Sequence, residues 1–240
     1  MERMVDIHCH LLPNVDDGPT SWDTSVQMCE IARADGIKHI VATPHANNHF
    51  RYDREAYSGM LEELGRRIPH GPQLSLGCDL HLSYENVVDA MATPSRYTIG
   101  GTNYLLVELS DFAVGPSVSQ SLERLMGVGI VPIITHPERN LALQGNPRSV
   151  LAWMESGCLV QVTANSLTGS WGRKAQETAE WLMKRNAVHI LATDAHGLDS
   201  RPPILSKARQ AAEKIVGKAS AHAMVSENPQ AVVSGQALSG

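Results

Sequence analysis

The sequence lacks the long apolar runs of a membrane protein and the basic clusters of a nucleic-acid-binding protein. No apolar stretch approaches the ~20 residues that a membrane-spanning helix needs, and no charged-then-apolar leader opens the chain. The formal net charge is −5 and Lys and Arg are scattered, whereas a nucleic-acid groove requires them on one face. We therefore expect a cytoplasmic protein with no membrane span and no nucleic-acid partner.

Several well-known catalytic sequences are also missing. The cysteines form no Cys-x-x-Cys pair, and none is followed six residues later by Arg, which excludes the phosphatases that attack phosphorus with a cysteine thiolate. There is no Gly-x-Ser-x-Gly of a serine hydrolase and no Gly-rich Lys-Ser/Thr loop for nucleotides. Hydrolytic chemistry in this chain must therefore use other groups.

Short apolar runs alternate with helical segments, which predicts an α/β protein with a (β/α) barrel. The 240 residues, 42% of them hydrophobic, suffice for a single domain over 1–240, with the last few residues expected to be mobile. Residues 211–240 are predicted helical with a break at Asn228-Pro229. Buried parallel strands are predicted at 4–9, 37–43, 74–78, 104–109, 130–135, 159–163 and 188–193.

Imidazole and carboxylate groups stand at the ends of six of these seven predicted strands. His8 and His10 end the first, and because side chains alternate along a strand, both point to one side. The carboxyl ends of all barrel strands meet on one face, where active sites lie. With one loop residue added, the candidate metal ligands are His8, His10, Asp17, His45, Asp79, Glu108, His136, Asp194 and His196.

This number of ligands indicates more than one ion. Mixed nitrogen and oxygen donors in this quantity suit two or three divalent cations with bridging carboxylates. The same donors accept manganese, iron or zinc. The pattern therefore predicts a metallohydrolase.

Four short motifs follow predicted strands: His8-Cys9-His10, Thr43-Pro44-His45, His136-Pro137-Glu138-Arg139 and Asp194-Ala195-His196. They resemble the motifs of the PHP (polymerase and histidinol phosphatase) superfamily, and the resemblance extends from residue 4 to about 233. Two more motifs, Asp16-Asp17-Gly18-Pro19 and Asp199-Ser200-Arg201-Pro202-Pro203, look like those of the PHP-type protein-tyrosine phosphatases. The resemblance implies a distorted (β/α)7 barrel, a trinuclear site often holding manganese, and hydrolysis of phosphotyrosine. It also implies a link to bacterial tyrosine kinases that control capsule or exopolysaccharide export.

The resemblance also implies how three ions would share the ligands. A hydroxide bridging two ions would attack phosphorus in line with the leaving oxygen. The first ion would take His8, His10, Glu108 and Asp194, the second would share Glu108 and take His45 and His136, and the third would take Asp17, Asp79 and His196.

Two arginines follow ligand-bearing strand ends and are candidates for holding the phosphoryl group. The planar guanidinium fork of Arg139 and of Arg201 matches phosphoryl oxygens. A general acid is harder to assign, and His196 or one of these arginines is the candidate.

The chain departs from the family pattern at two places. Asp79 stands where Glu is expected, and residues 46–51 differ from the basic stretch of relatives. His81, close to Asp79, is expected to be mainly structural.

Three other functions remain open. The first alternative is a small-molecule phosphatase of the histidinol-phosphatase type. The second is an amidohydrolase-type enzyme, although no predicted strand end carries the Lys that such barrels carboxylate. The third is a metal-stabilised binding protein without turnover.

Overall fold

The computed structural model describes residues 3–110 and 114–238, along which parallel strands and helices alternate. Every strand pair among these residues is parallel, as the buried apolar runs predict. The strands are β1 (Met4–Cys9), β2 (Ile37–Ala42), β3 (His45–Ala46), β4 (Gln73–Leu76), β5 (Asp79–His81), β6 (Tyr104–Glu108), β7 (Val131–Thr135), β8 (Leu159–Thr163) and β9 (Ile190–Ala192).

Helices lie between most of these strands. The first shows how the sequence sets such a helix: the Ser21 hydroxyl accepts from the Thr24 N–H at 3.1 Å, and Gly36 ends the helix at φ 97°. The helices are α1 (Trp22–Asp35), α2 (Arg54–Arg67), α3 (Tyr84–Ala92), α4 (Pro94–Tyr97), α5 (Pro116–Gly127), α6 (Leu141–Gly145), α7 (Arg148–Glu155), α8 (Ala164–Leu167), α9 (Gly172–Met183), α10 (Ser206–Val216), α11 (Lys218–Val225) and α12 (Glu227–Val233).

The strands close into a distorted barrel. One sheet has the order β1-β2-β4 and the other β3-β5-β6-β7-β8-β9. β3 follows β2 along the same barrel position, and β5 follows β4 in the same way. The pairing continues across the gaps between them, since the Gly77 N–H donates to the Ala42 carbonyl at 2.8 Å. β1 meets the chain after β9, where the Asp194 N–H donates to the His8 carbonyl at 2.8 Å. With each split strand taken once, the described residues give seven positions, which confirms the predicted (β/α)7 barrel.

Apolar side chains fill the lower part of the barrel, and polar side chains lie above them. Leu106 of β6 and Ile133 of β7 belong to one buried cluster with Ile7 of β1, and Val232 of α12 packs against it from the amino end. Two residues further along its strand, Leu106 is followed by Glu108, so the upper layer is polar. The pairing of β1 with β2 is irregular between Asp6 and Cys9. At such an irregularity, neighbouring side chains of β1 can both face the barrel interior, one in the apolar layer and the next in the polar layer.

Two predictions about the elements need correction. The third predicted strand is split, because β4 ends at Leu76 and β5 begins at Asp79. Asn228-Pro229 does not break the helical tail, since Pro suits the first turn of α12, and the breaks fall at Gly217 and Ser226. The expected mobility of the last residues includes positions 239–240, which lie outside the described residues. No helix in 3–110 or 114–238 is long and apolar enough to cross a membrane.

Candidate metal centre

The nine predicted ligand residues all lie at the carboxyl end of the barrel. Their donor atoms form four overlapping groups, and within each group the atoms lie within 4.8 Å of one another. The Asp17 side chain is 54% exposed, whereas His8, His10 and Asp79 are fully buried. The groups are His10, Asp17, His45 and His196; His8, His10 and Asp194; His8, Asp79 and His136; and His45, Asp79 and Glu108.

This grouping differs from the one that the resemblance implies. Asp79 is grouped with His8, His45 and His136 and not with Asp17 and His196, and Glu108 is not grouped with His8, His10 and Asp194. Asp79 Oδ2 lies 3.5 Å from His8 Nε2 and 3.2 Å from His45 Nδ1. Glu108 lies further out, 3.7 Å from the nearest nitrogen of His45 and of His136. The strand register explains these positions: Asp79 is level with Leu106, and Glu108 is two positions higher. The shorter carboxylate therefore occupies the central position.

His81 lies beside Glu108 and not in any of the four groups. The two residues are level with each other on β5 and β6, and His81 Nδ1 is 3.9 Å from Glu108 Oε2. The structural role expected for His81 stays a prediction.

Two residues outside the predicted set orient the imidazoles of β1. Gln161 Oε1 lies 3.0 Å from His8 Nδ1, and Asp16 Oδ2 lies 2.7 Å from His10 Nδ1. With Nδ1 occupied in this way, the Nε2 atoms of the two rings face each other at 3.3 Å and point into the ligand cluster. The sequence offered a signal for each: a polar residue within the apolar run 159–163, and a second Asp next to Asp17.

Gly18 allows the loop that carries Asp16 and Asp17 to pack against β1. A Cβ atom at Gly18 would lie 3.0 Å from the His10 carbonyl oxygen and 3.1 Å from the His10 Cβ. Asp16 holds the turn, since its Oδ1 accepts from the Gly18 N–H at 3.0 Å and its Oδ2 from the His45 N–H at 3.2 Å. The Asp-Asp-Gly sequence thus brings Asp17 to the ligand cluster.

Two ligand residues have left-handed backbone conformations. His136, directly after β7, has φ 35°, and Asp194, two residues after the end of β9, has φ 50°. Such conformations are uncommon for residues other than Gly and often occur at functional sites. They turn these two side chains toward the cluster where the strands end.

Asp194 connects the imidazoles to the two predicted arginines. Its Oδ1 lies 3.3 Å from His8 Nε2 and 3.4 Å from His10 Nε2. Its Oδ2 accepts from Arg201 Nη2 at 2.5 Å and from Arg139 Nη1. The arginine side chains are 20% and 21% exposed, so they lie at the mouth of the site.

Burial and mutual charge determine how the cluster ionises. Burial alone would lower the pKa of His8, but the Asp194 and Asp79 carboxylates outweigh it and raise that pKa to about 9. Burial would raise the pKa of Asp79 and Asp194, yet His8 holds both well below their usual range. Burial and the Asp79 charge raise the pKa of Glu108 to about 7. Imidazolium charge therefore balances the carboxylates, a role that divalent cations also fill.

His196 is positioned as a ligand more than as a general acid. Burial and the neighbouring His10 lower its pKa to about 4, so its imidazole is neutral near pH 7. Nδ1 lies 3.0 Å from the Asp194 carbonyl oxygen, and Nε2 lies 3.3 Å from Asp17 Oδ1. A neutral imidazole binds metals, whereas an acid must carry the proton.

The donor set fits divalent cations. Within the described residues, His45 Nδ1 and Asp79 Oδ2 are buried polar atoms that make no hydrogen bond of acceptable geometry, although they lie 3.2 Å from each other, and both belong to the group with Glu108. Buried polar atoms are nearly always hydrogen-bonded or bound to metal, so these two atoms indicate a metal position. Imidazole and carboxylate donors suit manganese, iron and zinc.

Known proteins resemble this chain over almost its whole length. The family described as "Capsular polysaccharide synthesis, CpsB/CapC" matches residues 4–234. Tyrosine-protein phosphatase YwqE of Bacillus subtilis (strain 168) is 30% identical over 243 residues, covering 98% of this chain and 93% of that protein. Putative tyrosine-protein phosphatase CapC of Staphylococcus aureus is 32% identical over 209 residues, covering 85% and 81%.

Solved structures agree with these similarities. A structure described among those of YwqE from Bacillus subtilis and CpsB from Streptococcus pneumoniae, "unique metal-dependent tyrosine phosphatases", has a TM-score of 0.91 at 30% identity. It covers 98% of this chain and 96% of that one. An amidohydrolase from Mycoplasma synoviae has a TM-score of 0.61 at 12% identity, covers 96% and 87%, and shares the fold alone. The family match and these relatives show that the chain belongs to the CpsB/CapC family of capsular polysaccharide synthesis.

Proposed function

We propose that this chain is a metal-dependent protein-tyrosine phosphatase. The observation that carries the proposal is the convergence of nine imidazole and carboxylate side chains on one face, with two arginines bound to one of them. The names of YwqE and CapC support the substrate class. We assign the metal ligands as His8, His10, Asp17, His45, Asp79, Glu108, His136, Asp194 and His196.

We expect two or three ions, with manganese as the first candidate and iron or zinc as the others. When bound, such ions neutralise the charge of a phosphoryl group and lower the pKa of a coordinated water toward ~7. The four overlapping donor groups support this number, because Asp79 and Asp194 each contact more than one imidazole.

We assign Arg139 and Arg201 to bind the phosphoryl oxygens. A guanidinium has five N–H donors, of which Arg139 uses one and Arg201 two for Asp194. The other donors suit the oxygens of a phosphate ester, which arginine binds in bidentate form. The leaving phenolate of phosphotyrosine has a pKa near ~10, so the reaction needs less help from a general acid than hydrolysis of an alkyl ester.

The wider setting is also part of the proposal. Residues 1–240 would act as one phosphatase domain in the cytoplasm. Its substrate would be a phosphotyrosine protein, such as a bacterial tyrosine kinase of polysaccharide export, in keeping with the CpsB/CapC family description.

The test measures hydrolysis of a phosphotyrosyl peptide and of histidinol phosphate, with metal content determined on the same sample. We expect peptide hydrolysis that requires manganese, iron or zinc, is abolished by a chelator and survives thiol alkylation. Preference for histidinol phosphate would favour the small-molecule phosphatase. Bound metal without turnover of either ester would contradict the proposed substrate, and a protein with neither metal nor turnover would favour the non-enzymatic alternative.

A further inference from the structure

The two arginines at the mouth of the site converge on a single carboxylate oxygen. Arg139 Nη1 and Arg201 Nη2 both donate to Asp194 Oδ2. Two guanidinium groups that share one acceptor lie close together and repel each other. For Arg139 this oxygen fixes only one end of the guanidinium and leaves its plane free to rotate, whereas Arg201 also donates from Nε to the Asp194 carbonyl oxygen at 3.1 Å. A further contact is needed to hold the orientation of Arg139.

The indole ring of Trp171 provides such a contact for both groups. The Arg139 Cζ atom lies 3.7 Å from the ring centroid, and the Arg201 Cζ atom lies 5.3 Å from it. Both distances fall within the roughly 6 Å over which a ring face attracts a cation. The ring therefore faces both positive groups and reduces the cost of bringing them together.

The turn that carries Trp171 is held in place by its backbone. Gly169 and Gly172, on either side of it, have φ 85° and 84°, a region that favours Gly. The Gly172 N–H donates to the Gly169 carbonyl at 3.0 Å, and the Ser170 N–H donates to the Asn165 carbonyl at 3.0 Å. These bonds fix the backbone of the turn between α8 and α9, from which the Trp171 side chain extends.

A buried carboxylate ties the same segment to the arginine loop. Glu138, which directly precedes Arg139, is fully buried and accepts from Ser166 Oγ at 2.6 Å and from the Thr163 N–H at 3.0 Å. Ser166 belongs to α8, which leads into the Trp171 turn. The backbone of Arg139 and the ring under its guanidinium are thus anchored to each other.

We propose that Trp171 is a positioning residue that holds the guanidinium groups of Arg139 and Arg201 in the orientation that binds a phosphoryl anion. The inference rests on the proposed function, in which these arginines bind phosphate. Trp171 acts through the arginines and touches no reacting atom. Its removal should therefore weaken phosphate binding, while the metal ligands keep their positions.

Three variants test this role. Trp171→Ala removes the ring, and Trp171→Phe keeps an aromatic face. Trp181→Ala is the matched control. Trp181 lies on α9, and the Arg185 Cζ atom is 3.8 Å from its ring centroid. Among the described residues, the only arginine that stacks on Trp181 is Arg185. Metal content and circular dichroism establish that each variant is folded and loaded.

The first measurement is binding of inorganic phosphate to the metal-loaded protein by calorimetry, which does not depend on turnover. We expect Trp171→Ala to weaken phosphate binding about tenfold, and Trp171→Phe to stay within about threefold of the wild type. In hydrolysis of a phosphotyrosyl peptide, KM should rise about as much as the phosphate dissociation constant while kcat changes less. If wild-type protein binds phosphate but hydrolyses no phosphotyrosyl peptide, the proposed function fails while the affinity comparison still tests Trp171.

The second measurement follows the arginine side chains by NMR in protein loaded with Zn²⁺, which is diamagnetic. The ring should shift the Arg139 Nε–H signal upfield, and this shift should disappear in Trp171→Ala and persist in Trp171→Phe and Trp181→Ala. Unchanged phosphate affinity in folded, loaded Trp171→Ala would overturn the proposal. So would equal losses in the Ala and Phe variants, or a loss of bound metal in Trp171→Ala.

Discussion

Gln161 Oε1 lies 3.0 Å from His8 Nδ1, and this contact joins residues 153 positions apart at the centre of the barrel. Both side chains are fully buried, so water cannot replace the amide as a partner for the imidazole. In the neutral imidazole that binds a metal, the contact keeps the proton on Nδ1 and leaves the Nε2 lone pair on the side of Asp79 and Asp194. One amide therefore determines the tautomer of a central ligand.

Replacing Gln161 by Leu should weaken metal binding more than it changes stability. The variant removes the acceptor for His8 Nδ1, and loss of such a partner typically costs about 10–100-fold in metal affinity or activity. It also removes Gln161 Nε2, which is buried without a hydrogen-bond partner among the described residues, so part of the stability cost is offset. Metal affinity measured by competition with a chelator checks the expectation. Gln230→Leu, on the exposed side of α12, should bind metal like the wild type, and equal affinities in both variants would contradict the role of Gln161.

Asp79→Asn should remove at least one bound ion. Asp79 Oδ2 lies between His8 and His45, and its charge contributes to the raised pKa of both imidazoles. An amide of the same size keeps the packing but lacks the negative charge that a divalent cation needs. Elemental analysis should find at least one ion fewer per chain, and hydrolysis should fall by about 100-fold or more. Asp23→Asn, an exposed change in the first turn of α1, is the control, and full metal content in Asp79→Asn would refute the central position of this carboxylate.

The sequence predicted the members of the site better than their arrangement. His8 and His10 could be recognised because a strand places alternate side chains on one side, and a closed barrel brings their strand to Asp194. The central position of Asp79 and the outer position of Glu108 depend on the register between β5 and β6, which no local pattern determines. The pairing of Gln161 with His8 depends on which strands face each other across the barrel.

The same limit applies to the arginines and to the element boundaries. Position after the strand ends predicted that Arg139 and Arg201 belong to the site. Their common acceptor Asp194 and their common ring Trp171 could not be predicted, because the four residues lie on three separate loops. The third strand could not be divided from the sequence alone, because Leu74 to Cys78 is one apolar run. The interruption lies beside Pro44, between β2 and β3, and Pro has no N–H to donate to the ladder.

Gly18→Ala should destabilise the fold and move Asp17 away from the other proposed ligands. The added Cβ would meet the His10 carbonyl and Cβ at 3.0 and 3.1 Å, so the loop must move away from β1. Crowding of this kind costs about 1–3 kcal/mol, and the movement would also take Asp17 away from His196. The free energy of unfolding should fall by that amount in urea titrations, and metal content should drop.

Gly59→Ala in α2 is a control of opposite sign, because a Cβ there meets nothing within 4 Å and Ala is the better helix former by about 0.5–1 kcal/mol. Equal stability of Gly18→Ala and wild type would show that the loop tolerates the contact.

His189 should make the fold less stable as the pH falls. His189 directly precedes β9, and its Nδ1 accepts from the Val160 N–H of β8 at 3.1 Å, which requires that nitrogen to be unprotonated. Burial lowers the pKa of His189 below its ordinary value of about 6.5. Because the folded-state pKa is the lower one, this contribution is fully present above pH ~6.5 and is lost as the pH falls through the folded-state pKa. His189→Asn keeps an acceptor and removes the titration, so the variant should lose less stability than the wild type between about pH 8 and about pH 5. Urea titrations across this range measure the difference, with His70→Asn, in an exposed loop, as the control that should follow the wild type. If the His189→Asn and wild-type curves stay parallel over the whole range, protonation of His189 does not oppose folding.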